Sequence, residues 1–169
     1  MTNLKTLLGD WTGAAAAEMA LVAPLLIAIL LGSVETGNYF LSEHAVAKQV
    51  RDGARFASRL PLATNFTCPS TVINASPIIN VTKTGSIDGA ATGRFPASFW
   101  ASACSPATQS VSVTLRCVPK ASYSGVWAGF VTDIPVVKVS ADVSYNSLFG
   151  LSPSALCMHA TSEAPVSGI

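Results

Sequence analysis

Residues 13–34 read GAAAAEMALVAPLLIAILLGSV, and this stretch dictates the architecture that we predict for the chain. A run of alanines precedes a single acidic residue, Glu18, and no charged residue follows it within the stretch. The uncharged run from Met19 to Val34 spans about 24 Å as a helix, at ~1.5 Å per residue. With the alanines it approaches the ~30 Å hydrocarbon thickness of a bilayer, so we predict a transmembrane helix over residues 14–42.

Two other interpretations of this run fit the sequence less well. A secretory signal peptide has a basic start and a small-residue cleavage site after its apolar core. Here Lys5 is the only basic residue upstream, and the helical pattern continues through Glu35, Tyr39 and Leu41. A buried core helix would need a comparably apolar partner segment, which the rest of the chain lacks. We therefore interpret the run as a membrane anchor.

Residues 43–61 are predicted to continue the helix outside the membrane as an amphipathic segment. Apolar residues recur there at helical spacing and form one stripe: Val46, Val50, Ala54, Ala57 and Leu60. Gly53 weakens a helix unless another segment packs close to it, and Pro61 ends the helix. We thus expect one long helix from about Ala14 to Leu60, half in lipid and half outside.

The remainder of the chain, residues 62–169, changes to a composition that favours strands and turns. Two segments alternate apolar and polar side chains, residues 110–119 and 135–146, and residues 155–163 suit a third strand. An antiparallel sheet with one apolar face needs a cover, and the helical stripe supplies one. The predicted fold class is therefore α+β: a long transmembrane and amphipathic helix with a small antiparallel β-sheet domain packed on its outer half.

The connecting segments of this domain carry turn-forming residues. Residues 68–88 are rich in Asn, Ser, Thr, Pro and Gly, so we predict a loop with short strands. Residues 122–132 contain Trp127, Phe130 and two glycines, which suits a loop folded over an apolar surface.

The chain has four cysteines, and all of them follow the apolar run: Cys68, Cys104, Cys117 and Cys157. An even number in an exported domain favours two disulfides, with buried free thiols as the alternative. Because Cys117 and Cys157 are expected on neighbouring strands, we predict the pairs Cys68–Cys104 and Cys117–Cys157. Disulfides need an oxidising compartment, which favours a domain outside the membrane and an amino end inside. The basic residues after the run, taken alone, favour the opposite orientation.

Several motifs of the helical part occur together in one family. Gly13, then Glu18, then an apolar helix is similar to the processing signal of type IV prepilins. More narrowly, AAAAEMALVAPLL, then Glu35-Thr-Gly, then VRDGARFASRL resembles the TadE-like proteins, pseudopilins of tight-adherence (Tad/Flp) pili. The similarity covers about residues 13–60, and the strands add little to it.

The resemblance implies that residues 1–13 are a leader, which a prepilin peptidase removes by cutting between Gly13 and Ala14. Glu18, Pro24 and Glu35 are then assembly residues, and Glu18 of one subunit meets the Ala14 amine of a neighbour. The implied partners are the membrane, the peptidase, other pilins or pseudopilins and the inner-membrane assembly platform. The implied location is the bacterial inner membrane, with the domain in the periplasm, or the assembled pilus.

The sequence offers little for other chemistries. A net charge of +1 does not favour a nucleic-acid partner. No Cys-x-x-Cys pair is present, and His44 and His159 lack metal spacing, so we expect no metal or cofactor. Gly150-Leu-Ser-Pro-Ser lacks the final glycine of a nucleophile elbow. We predict a non-enzymatic protein with no catalytic residue.

Three alternatives stay open. Glu18 at a helix amino end also suits the helix dipole at a membrane interface without any partner. Asn-x-Ser/Thr sequons at Asn65, Asn74 and Asn80 support a single-span extracellular glycoprotein. The aromatic loop with Trp127 and Phe130 supports a membrane-tethered ligand-binding module.

Overall fold

The structure, a computed structural model, describes residues 11–69, 71–101, 104, 109–119, 133–150 and 156–167. Its longest element is helix α1 (Trp11–Ser58), followed by the short helix α2 (Leu62–Asn65) and a ribbon of β1 (Phe66–Thr67) with β2 (Thr71–Val72). Helices α3 (Ser76–Thr84) and α4 (Ala97–Ala101) come next. Strands β3 (Val111–Val118), β4 (Ile134–Ser144) and β5 (Cys157–Pro165) then form the main sheet.

Helix α1 is 48 residues long, about 72 Å at ~1.5 Å per residue. It crosses the predicted boundary between its transmembrane and amphipathic parts without a break, although Pro24 lies inside it. Pro24 has no N–H to donate to the preceding turn, a loss that membrane helices tolerate. After Ser58 the chain tightens, because the N–H groups of Arg59 and Leu60 donate to carbonyls three residues back. The predicted long helix is confirmed.

The main sheet is antiparallel, with the strand order β3-β4-β5. Its strands start and end within about two residues of the predicted ones. One face is apolar, and alternate residues of β4 are fully buried there: Val137, Val139, Ala141 and Val143. The other face is polar, and Arg116 contacts Glu163 across it at 3.4 Å.

The outer half of α1 covers the apolar face of the sheet. The predicted stripe lies in the same hydrophobic cluster as β4, and four of its members are buried: Val46, Val50, Ala54 and Ala57. At one end of the sheet, Tyr145 donates a hydrogen bond to the Glu35 carbonyl. At the other end, the Ser167 N–H donates to the Ser58 carbonyl at 2.9 Å. The sheet therefore runs alongside α1 from Glu35 to Ser58, about 35 Å of helix, and the α+β fold class is confirmed.

The prediction of a loop with short strands over residues 68–88 was only partly right. The short strand β2 lies there, but so does helix α3, which the sequence analysis missed. Its apolar residues are mainly β-branched, which weakens a helical signal. Two boundary signals were present: a proline in the first turn and Gly85 as the left-handed residue after the last turn. Ile78 and Thr82 of α3 are fully buried, so packing stabilises the helix.

Helix α3 packs against α1 at Gly53, which explains a glycine in the middle of a helix. A Cβ atom added at Gly53 would overlap the hydroxyl oxygen of Thr82 and lie 3.2 Å from its Cβ. Thr82 is fully buried and donates a hydrogen bond to the Ile78 carbonyl at 2.8 Å, so its side chain has little room to turn away. The expected close neighbour of Gly53 is therefore α3.

We expect Gly53→Ala to destabilise the domain. Overpacking a buried contact costs about 1–3 kcal/mol, which exceeds the ~1 kcal/mol that alanine gains over glycine in a helix. Urea unfolding of the full chain in detergent micelles measures the difference. Gly37→Ala is the matched control, because no atom lies within 4 Å of a Cβ added there. Thr82→Ala should restore part of the stability lost by Gly53→Ala, and a double variant as unstable as the single one would contradict the contact.

Candidate functional site

Residues 19–41 of α1 expose a continuous apolar surface. Large apolar side chains point outward all along it: Met19, Leu21, Val22, Leu25, Leu26, Ile27, Ile29, Leu30, Val34, Phe40 and Leu41. Among the described residues, one helix is long and apolar enough to cross a membrane, and its most apolar window is entirely unburied. Soluble monomers rarely expose a patch of this size, so lipid or other helices must cover it.

Two hydroxyl side chains of this span are satisfied within the helix. The Ser33 hydroxyl donates to the Leu30 carbonyl and the Thr36 hydroxyl to the Gly32 carbonyl, each at 2.8 Å. An unpaired hydroxyl in hydrocarbon costs several kcal/mol, and these bonds remove that penalty. These two hydroxyls are therefore compatible with a lipid environment.

The predicted processing residues and Glu18 lie close together near the amino end of α1. Gly13, Ala14 and Glu18 are all helical, and Glu18 follows Ala14 by about one turn, on the same face. The Glu18 side chain is exposed, and no hydrogen bond or ion pair joins it to another described residue. Pro24 lies between Glu18 and Glu35 on the same helix. Their roles in processing and assembly stay predictions.

Glu35 lies at the junction between α1 and the β domain. Its side chain is buried, with 7% of the residue exposed. The carboxylate accepts hydrogen bonds from the N–H groups of Leu148 and Phe149 at 3.2–3.3 Å, and from the Ser147 side chain. A carboxylate that accepts several N–H bonds is held firmly, because such charge-assisted bonds are about twice as strong as neutral ones. Glu35 thus fixes the loop after β4 to the helix.

Tyr145 completes this junction from the sheet side. Its hydroxyl accepts a hydrogen bond from Asn38 Nδ2 at 2.7 Å and donates one to the Glu35 carbonyl at 3.3 Å. Its ring meets the Tyr39 ring edge-on, with centroids 5.3 Å apart. Burial raises the pKa of Tyr145 above its ordinary value, and the Glu35 carboxylate adds to the shift, so the phenol keeps the proton that it donates.

The four cysteines form two disulfides, as predicted, but the predicted pairing was wrong. The bonds are Cys68–Cys117 and Cys104–Cys157, with Cα atoms 5.9 and 6.0 Å apart. Cys117 and Cys157 are not on neighbouring strands, because β4 lies between β3 and β5. They also lie at the two ends of β4, since Cys117 is paired with Pro135 and Cys157 with Ser144. These two β4 residues are about 30 Å apart at ~3.3 Å per residue. A disulfide reaches only about 7 Å between Cα atoms.

The other candidate residues do not converge on a reactive site. His159 pairs with Asp142 across β4 and β5, and the exposed His44 lies on α1. Among the described residues, no group of three or more His, Cys, Asp or Glu side chains could hold a metal ion.

Two of the three sequon asparagines use their amide nitrogens in local hydrogen bonds. Asn65 Nδ2 donates to the Pro61 carbonyl at 3.0 Å, and Asn80 Nδ2 donates to the Ile87 carbonyl at 2.9 Å from within α3. A glycan replaces one of the two hydrogens on that nitrogen, so modification would compete with these local bonds. The geometry at Asn65 and Asn80 therefore does not favour the glycoprotein alternative, while Asn74 is exposed.

The aromatic loop of the ligand-binding alternative, with Trp127 and Phe130, lies outside the described residues. A cleft of about 450 Å³ lies elsewhere, between the end of α3 and the chain that enters α4. It is lined by Lys83, Thr84, Phe95 and Trp100, among others. Phe95 stacks on Phe99 at 4.1 Å and both contact Trp100, a cluster that the sequence analysis missed. The described lining residues of this cleft do not form a set of polar groups that identifies a ligand.

A family model described as TadE-like protein matches residues 13–55. This stretch is TadE-like. The match begins at Gly13 and ends at Arg55, three residues before the end of α1, so it confirms the resemblance over almost the whole helix. No curated protein and no solved structure matches the chain.

The TadE-like stretch contains the predicted processing and assembly residues, together with Gly53, which α3 contacts. The sheet and both disulfides lie outside it. The match supports a protein associated with tight-adherence pili, and it does so through the helix rather than through the β domain.

Proposed function

We propose that this protein is a pseudopilin, or minor pilin, that acts in the assembly of Tad/Flp-type pili and has no enzymatic activity of its own. One observation carries the proposal: the TadE-like stretch coincides with a helix that is apolar and exposed over residues 19–41, with an exposed Glu18 just before this surface. A surface of this kind suits lateral packing against the helices of other pilins or pseudopilins.

In the proposed assembly, Glu18 sets the axial position of one subunit against the next. Cutting after Gly13 creates a new amino group at Ala14. In lipid an unpaired carboxylate and an unpaired ammonium are both costly, so subunits gain most when Glu18 meets the amine of a neighbour. A shifted neighbour leaves both charges unpaired, and the pair therefore specifies the register more than it adds to stability.

The proposed location is the bacterial inner membrane, with the amino end in the cytoplasm and the β domain in the periplasm or on the assembled pilus. The two disulfides support this orientation, because they persist in an oxidising compartment. The proposed partners are the prepilin peptidase, other pilins and the inner-membrane assembly platform.

The processing step gives the direct test of this function. We expect the mature chain to begin at Ala14, and we expect Gly13→Val to block cutting because a branched side chain obstructs a site built for glycine. No atom lies within 4 Å of a Cβ added at Gly13, so the variant itself should fold. Mass spectrometry of the amino terminus, in strains with and without prepilin peptidase, measures the result.

Gly32→Val is the matched control for this experiment. It lies in the same helix and also has open space around an added Cβ, so it should be processed normally. An intact leader on the native protein throughout pilus assembly would contradict the pseudopilin proposal.

A further inference from the structure

The described part of the loop after β4 carries two exposed apolar side chains. Leu148 is 58% exposed and Phe149 is 47% exposed. We call these two residues the apolar tip. Its backbone is bonded to Glu35, the residue that follows the uncharged run of α1. The apolar tip therefore lies beside the exposed apolar surface of the helix and extends that surface.

Two backbone N–H groups of the apolar tip have hydrogen-bond partners within the protein. The N–H groups of Leu148 and Phe149 both donate to the Glu35 carboxylate. Loop backbone enters a membrane only where its polar groups have partners, since each unsatisfied group costs several kcal/mol there. The buried Glu35 carboxylate meets this requirement for two consecutive N–H groups, while both side chains stay exposed.

The position along α1 places the apolar tip at membrane depth. Phe40 and Leu41 are exposed apolar residues that lie beyond Glu35 on the outward side of the helix. Residues 14–42 span about 43 Å, close to the ~40–45 Å of a bilayer with its headgroups. Glu35 then lies about 10 Å inside the outer end of this span. Tyr39 and Tyr145 flank it, as aromatic residues commonly do at the membrane interface.

We propose that the apolar tip inserts into the outer leaflet of the bilayer that α1 spans, as a second membrane contact of the β domain. This inference rests on α1 as a membrane span, but it does not depend on a role in pili. Glu35 acts as a positioning residue that holds the tip at this depth. Since helical residues are about 100° apart, Glu18 and Glu35 lie roughly 100° apart around α1. The inserted tip thus leaves the Glu18 face clear for neighbouring helices.

Tryptophan quenching by brominated lipids tests the proposal in the full chain, reconstituted in phosphatidylcholine vesicles. We compare Leu148→Trp with Ile73→Trp, whose position is equally exposed at 57% but lies near the far end of the domain, bonded to Asn65. Lipids brominated near the headgroup should quench Leu148→Trp at least about twofold more strongly, because interfacial insertion reaches ~5–10 Å deep. The signal of the native tryptophans is measured in the unsubstituted protein and subtracted.

Leu25→Trp shows whether α1 spans the membrane, independently of whether the apolar tip inserts. It lies mid-helix at 62% exposure and should be quenched by lipids brominated near the chain ends. If it is not quenched, the membrane span itself is overturned. If it is quenched but Leu148→Trp behaves like Ile73→Trp, the inserted tip is overturned. A Leu148→Trp signal that responds to the protein-to-lipid ratio and not to bromine would show a second subunit on the tip, which also overturns the proposal.

Glu35→Ala, combined with Leu148→Trp, tests the positioning role. Without the carboxylate the tip loses its attachment to α1, and quenching should fall to the level of Ile73→Trp. Tyr39→Ala is a control that changes the same junction but leaves the Glu35–loop bonds in place. Unchanged quenching in the Glu35→Ala background would overturn the role assigned to Glu35.

Discussion

Glu18→Ala is expected to insert in the membrane, to be cut after Gly13 and to fold its β domain, yet to fail in recruiting pilin partners. The substitution makes α1 more apolar and touches no described contact, so insertion and folding should be unaffected. Loss of the carboxylate removes the charge that distinguishes the correct neighbour position from shifted ones. Recovery of pilin partners from membranes, at matched expression, should fall at least about tenfold if the pair contributes ~1.4 kcal/mol.

Two variants calibrate this result. Glu18→Asp should be intermediate, because its shorter side chain reaches a neighbouring amine poorly. Lys48→Ala removes an exposed charge from the same helix outside the apolar surface and should recruit partners normally. If wild type and Glu18→Ala recover equal amounts of pilin partners, the assembly role of Glu18 is contradicted. The result would instead favour a Glu18 that interacts only with the helix dipole at the membrane interface.

Replacing either disulfide by a pair of serines is expected to remove a large part of the stability of the β domain. The bonded cysteines are separated by 49 and 53 positions in the sequence. For loops of this size the chain-entropy model assigns each disulfide about 4 kcal/mol of stabilisation. Small domains are stable by only about 5–15 kcal/mol in total. Urea unfolding of the full chain in micelles, followed through the buried Trp100, measures each loss. Ser112→Ala and Ser162→Ala, on β3 and β5, are the controls and should change little.

Single serine variants test the connectivity itself. Cys117→Ser should leave a free thiol at Cys68, and Cys157→Ser should leave one at Cys104. Thiol labelling without reductant, followed by peptide mapping, locates the label. A labelled Cys157 in the Cys117→Ser variant would contradict the observed pairs and restore the pairing predicted from the sequence.

The elements that were predicted correctly are those whose burial leaves a periodic pattern. Val46, Val50 and Ala54 recur at helical spacing because one face of α1 is buried, and the β4 residues alternate because one face of the sheet is buried. Helix α3 lacked this signal, since Ile78, Ile79 and Val81 suit a strand as well as a helix. Packing against Gly53, a contact between segments distant in sequence, favours the helix instead.

The disulfide pairs and the junction depend on topology, which local patterns do not encode. The order β3-β4-β5 separates Cys117 from Cys157, and no feature near either cysteine reveals that order. Glu35 was predicted as an assembly residue. Its contacts come from a loop more than 100 residues further along the chain. An acidic residue next to an apolar run gives no hint of such a distant partner.

The outer half of α1 supplies one wall of the core, and this has a practical consequence for producing the protein. A truncated fragment that starts at Arg59 would keep every described strand and all four cysteines but lose the segment that covers Val137, Val139 and Ala141. The sheet would then present a bare apolar face to water and invite aggregation. A water-soluble version must therefore retain the helix from about Glu43 onward, so anchor and domain cannot be separated at the predicted boundary after Pro61.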